Sequence, residues 1–83
     1  MLSDEELYAI LETFYRPTDA ILISTIKAEL RNFGFNANEI KEMIEDAIDE
    51  GYLKKITPIR VKLTKIGREL WKDADEEGLF DLD

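Results

Sequence analysis

At Gly51 the apolar pattern of this chain changes its period, and that change limits the folds open to it. Before the glycine, Ile40, Met43, Ile44, Ala47 and Ile48 recur at intervals of three and four residues, the inner face of an α-helix. After it, Tyr52 to Ile56 and Ile59 to Leu63 are two short runs around Thr57-Pro58, the pattern of a β-hairpin. A helix, a glycine stop and a two-stranded ribbon must therefore follow one another with no linker between them.

The upstream elements fit the same plan. Ser3-Asp4-Glu5-Glu6 has the form of a capping box, with Ser3 at the cap and Glu6 three residues on. Leu7, Ile10, Leu11 and Phe14 then follow at helical spacing, and Pro17 stops the run, so a first helix is expected over about residues 4–15. Ile21-Leu22-Ile23 reads as a short strand, after which Ser24 caps a second helix with Ile26, Leu30 and Phe33 inside. A single helix from Asp19 to Phe33 is the alternative. Gly34 is placed to close this helix in a left-handed turn, with Phe35 folding back on Leu30. The third helix begins near Asn36 or Asn38, and Thr64 caps a fourth that runs to about Lys72. Residues 73–83, DADEEGLFDLD, carry too much charge and too little periodicity to demand structure. The expectation is one domain over residues 1–72 with an acidic, flexible tail.

This chain resembles the winged-helix (winged helix-turn-helix) superfamily, in the form of its small stand-alone regulators. The resemblance rests on Ile23-Ser24, on Gly34-Phe35, on Ile44, Ile48 and Gly51-Tyr52-Leu53, and on Leu63-Thr64-Lys65-Ile66-Gly67-Arg68. It covers about residues 3–72. It implies a mainly α fold with a small antiparallel sheet in the order α-β-α-α-β-β-α, and a Gly67 that lets the last helix lie close to the sheet. It implies little about the task, because one scaffold serves DNA binding, polymerase assembly and replication complexes.

Charge is where the chain departs from that family. Readers of the major groove offer bases or neutral polar groups on the third helix, whereas this helix carries Glu39, Glu42, Glu45, Asp46, Asp49 and Glu50 against Lys41 alone. At 100° per residue Glu42 and Asp49 point outward, flanked by Glu45 and Asp46. A carboxylate about 8 Å from a phosphate costs on the order of 0.5 kcal/mol even in water. Several such pairs add up to a cost comparable with the roughly 4–10 kcal/mol that separates specific from non-specific DNA binding. Insertion of the third helix into a groove is therefore disfavoured.

The net charge of −8 hides an opposite surface. Residues 54–72 hold seven bases and one acid. Strand alternation turns Lys54, Arg60 and Lys62 outward, Lys55 lies near the hairpin tip, and Lys65 and Arg68 open the last helix. Two readings follow. In the first, this basic wing contacts the backbone of double-stranded DNA in a module associated with transcription or replication. In the second, the chain is a protein-interaction module whose third helix offers Glu42, Glu45, Asp46 and Asp49 to a basic partner, with no direct DNA role.

Other functions have less to build on. The chain contains no histidine and no cysteine, and it lacks a phosphate-binding loop pattern, so neither an enzyme nor a bound cofactor is expected. Asp73, Asp75, Glu77 and Gly78 match the first half of a calcium loop without its twelfth-position glutamate, and no metal is expected. Apolar runs are too short to span a membrane, and with no targeting segment the expected location is the cytoplasm. The tail's Leu79-Phe80-Asp81-Leu82-Asp83 reads as disorder, as a competitor for the basic surface, or as a short docking motif. Homodimerisation through the first and last helices, using Tyr8, Tyr15 or Trp71, is the remaining expectation.

Overall fold

Two capping boxes set the starts of the first and third helices. The Ser3 hydroxyl accepts from the Glu6 amide while the Glu6 carboxylate accepts from the Ser3 amide, at 3.2 and 3.0 Å. Helix α1 then covers Asp4–Glu12. Asn36 and Glu39 repeat the exchange at 2.9 and 3.0 Å, opening α3 over Ala37–Asp49. Each cap contributes about 1 kcal/mol by satisfying amides that the helix leaves unpaired.

The computed structural model describes residues 1–80. The element order is α1, β1 (Ala20–Leu22), α2 (Ile23–Asn32), α3, β2 (Leu53–Thr57), β3 (Arg60–Leu63) and α4 (Lys65–Glu76). The fold is thus mainly α with one small antiparallel sheet, in the expected order. Its strands lie in the order β1-β3-β2. Central β3 sets Val61 between Ile21 and Lys55, and Lys62 between Ala20 and Lys54.

One face of the sheet meets the helices. Leu53, Val61 and Leu63 join Ile10, Leu11, Phe14, Ile26, Leu30, Ile40, Met43 and Ala47 in one buried cluster. Gly51 takes a left-handed φ of 85°, and the Tyr52 amide donates back to the Ala47 carbonyl. That closure turns the chain from α3 directly into β2. Gly67 lies where a Cβ would run into the Tyr52 carbonyl oxygen and into Leu63. Only the missing side chain allows α4 to approach the sheet that closely.

Several boundaries differ from those expected. Helix α1 stops at Glu12 rather than near residue 15, because the Thr13 amide and hydroxyl both donate to the Ile10 carbonyl and tighten the last turn. Ser24 does not cap α2; Leu22 holds that position and makes no side-chain bond. The Ile23 amide instead donates to the Ile59 carbonyl at 2.8 Å, so the β2–β3 hairpin itself satisfies the helix start.

The fold also continues past residue 72. Helix α4 runs to Glu76 with Ala74 buried, and Gly78 closes it while the Leu79 amide donates to the Ala74 carbonyl. Phe80 then returns to the core with 7% of its surface exposed, its ring centre 5.4 Å from that of Trp71. Residues 73–80 therefore belong to the domain rather than to a tail, and Asp81-Leu82-Asp83 lie outside the described residues. Asp73 and Asp75 sit on a helix, not in a calcium loop. Among the described residues no group of three or more potential ligands gathers around one point. Nor is any helix among them long and apolar enough to cross a membrane.

Candidate functional site

The strand register sorts the cations of the β2–β3 hairpin onto two faces. Lys54 stands directly opposite Lys62 across the β2–β3 ladder, and Arg60 shares their side of β3 two residues away. These three side chains occupy the face of the sheet turned away from the core, with Lys54 and Arg60 exposed and Lys62 half-buried. Lys55 is paired with Val61 and so lies on the other face. It borders α3 beside Glu45, Ile48 and Asp49, and so does not join the outward set of Lys54, Arg60 and Lys62.

A like-charged pair across a ladder is destabilising, by an amount comparable to the 0.2–1 kcal/mol that an opposite pair contributes. Among the described residues no carboxylate lies within ion-pair distance of Lys54, Arg60 or Lys62. This small cationic surface is left without an ion-pair partner among the described residues.

The last-helix cations divide in the same way. Lys65 is exposed on the first turn of α4. Arg68 is half-buried, and its Nη1 donates to the Leu63 carbonyl at 3.1 Å. Its guanidinium helps join α4 to the end of β3, so its role is largely structural.

The acidic helix is also divided. Glu42, Glu45 and Asp49 are exposed. Asp46 is not a free outward charge: its side chain is 35% exposed and lies 2.9 Å from the Met1 ammonium. Beside it, Glu50 accepts from the Leu2 amide at 3.0 Å. The hydrogen bond to Asp46, then its charge, raise the Met1 ammonium above its ordinary pKa of 8.0, with smaller help from Glu50 and Glu6. The chain thus folds its first residues against one edge of α3 and leaves the other edge to solvent.

Trp71 is removed from the set of candidate dimer contacts. It is 8% exposed, and its Nε1 donates to the Phe14 carbonyl at 3.0 Å. Tyr8 is half-buried, while Tyr15 is 78% exposed with the Arg16 guanidinium 5.9 Å from its ring centre.

Among the described residues no polar or charged side chain is buried. The charged groups of the described residues therefore lie at or near the surface. Sequence reasoning missed Lys27 and Lys41, which border the same side of α3 as Lys55. Their signal was available in the helical spacing of α2 and α3, but the surrounding acids obscured it. Comparison with protein-family models, curated proteins and solved structures gives no match.

Proposed function

We propose that this chain is a non-enzymatic winged-helix module that contacts the phosphate backbone of duplex DNA through the outer face of its wing, in transcription or replication. The observation carrying this reading is Lys54 held opposite Lys62, with Arg60 alongside and no carboxylate to neutralise them among the described residues. A fold gains nothing from that arrangement internally, whereas a polyanion would gain three cations on one face. Backbone contact of this kind is insensitive to sequence and weakens as salt rises. Helix α3 stays out of the groove, since Glu42, Glu45 and Asp49 would face phosphates there.

Fluorescence anisotropy with a labelled duplex tests the proposal. The wild-type chain binds, and Arg60→Ala with Lys62→Ala weakens binding at least several-fold without loss of fold. Equal affinity of the two proteins rejects wing contact.

A second reading is supported by the exposure of Glu42, Glu45 and Asp49 on one helix. In it α3 docks a basic protein segment. Saturable binding of a lysine-rich peptide, abolished by Glu42→Gln with Asp49→Asn, would favour this reading over the first.

A further inference from the structure

The side of the sheet opposite the proposed DNA face carries a groove of different chemistry. It lies between α2, α3 and the wing, with a volume of about 230 Å³. Ile23, Ile44 and Ile48 form its floor, and Lys27, Lys41 and Lys55 border it together with Glu45. Toward the wing tip it continues into a recess bounded by Ile23, Pro58 and Ile59, where Ile59 leaves 61% of its surface exposed. The three lysines are themselves exposed. Among the described residues none is within ion-pair distance of a carboxylate.

We infer that this groove docks an acidic–apolar protein segment, one whose leucine, isoleucine or phenylalanine side chains alternate with aspartate or glutamate. Apolar side chains of the segment cover Ile23, Ile48 and Ile59, which gain only when another apolar surface excludes water from them. Its carboxylates meet Lys27, Lys41 and Lys55, which surround the floor on three elements. Charge complementarity selects the occupant, because Lys27, Lys41 and Lys55 outnumber Glu45 and the neighbouring Asp49 and leave the border net positive. Duplex DNA fits less well, because its charged backbone offers no apolar surface to cover the isoleucines. This inference is independent of DNA contact by Lys54, Arg60 and Lys62, which lie on the other face of the sheet.

The test is a titration of the isotope-labelled chain with a synthetic peptide of Leu, Phe, Asp and Glu, and with a counterpart carrying Lys for each acid. The expected result is saturable amide shifts at Ile23, Lys27, Ile44, Ile48 and Lys55 with the acidic peptide only. Lys27→Glu with Lys55→Glu lowers that affinity by about tenfold, as expected for two surface attractions turned into repulsions. The same charge change made away from the groove, Arg16→Glu with Lys72→Glu, leaves it within about twofold. Shift mapping on the wild-type chain decides the matter even if a reversal variant fails to fold. The inference is overturned if the acidic peptide produces no saturable shifts, or if its basic counterpart binds equally well. It is equally overturned if duplex DNA rather than peptide perturbs the groove, or if these amides move with protein concentration alone, which would make the occupant a second copy.

Discussion

Replacing Lys62 by glutamate should make the protein more stable and a weaker binder of DNA at the same time. Lys62 faces Lys54 across the ladder, with Ala20 on its other side. Two ammonium groups about 7 Å apart in water repel by roughly 0.6 kcal/mol. A carboxylate at position 62 turns that repulsion into an attraction of similar size, a swing of about 1 kcal/mol before screening. Solvent exposure and salt reduce it to about 0.5–1 kcal/mol. For a domain of this size the change corresponds to a rise in Tm of roughly 3–6 °C. Duplex affinity falls about tenfold, because one phosphate contact is lost and a like charge is added. Thermal unfolding followed by circular dichroism and anisotropy with a labelled duplex read the two effects on one sample. A lower Tm for Lys62→Glu would refute the strained like-charge pair, and unchanged duplex affinity would refute its functional explanation.

Three further outcomes follow from the packing and the chain's first residues. Gly67→Ala should destabilise the fold by about 1–3 kcal/mol in urea unfolding, despite alanine's better helix propensity, because its Cβ meets the Tyr52 carbonyl; equal or higher stability would contradict the close approach of α4. Phe80→Ala should cost about 2–3 kcal/mol by the same measurement, given its burial against Trp71, whereas a change under about 0.5 kcal/mol would mean that residue 80 does not belong to the core. The Met1 ammonium is raised by Asp46, so its contribution is fully present below the unfolded value of 8.0 and is lost as pH rises through the higher folded value. The Tm of the wild-type chain should therefore fall toward that of Asp46→Asn as pH rises above about 8; parallel profiles would remove the ion pair.

Much of the architecture was readable because local chemistry and tertiary contacts agree. The capping box at Ser3 spans only the four residues to Glu6, and Gly34-Phe35 closes α2 with the expected bond from the Phe35 amide to the Leu30 carbonyl. The exit of α3 through Gly51-Tyr52 was readable for the same reason. The start of α2 was not, since its first amide is satisfied by Ile59, a residue in the β2–β3 turn and far away in sequence. The end of α4 was obscured by composition. Asp73, Asp75, Glu76 and Glu77 surround the one small apolar residue, Ala74, that continues the inner face from Trp71. Spacing of three from Trp71 to Ala74, followed by Gly78, was the available signal.

The site was less legible than the fold. Alternation along β2 and β3 correctly turned Lys54, Arg60 and Lys62 outward, and the same alternation sends the adjacent Lys55 to the opposite face, beside Val61. Asp46 looked equivalent to Glu45 on a helical projection. Its partner is the chain's first residue, 45 positions away, and no local pattern announces such a contact. Arg68 likewise looked like a free cation, yet it donates to a carbonyl five residues back.

The central claim is that the outer wing face, and not α3, meets the DNA backbone. Its most direct test is the salt dependence of duplex affinity for the wild-type chain and for Arg60→Ala with Lys62→Ala. Three phosphate contacts give a slope of log affinity against log salt of about −2.7, and removing two of them leaves about −0.9. That difference is the predicted result. Identical slopes for the two proteins, or no duplex binding even at low salt, would contradict the account.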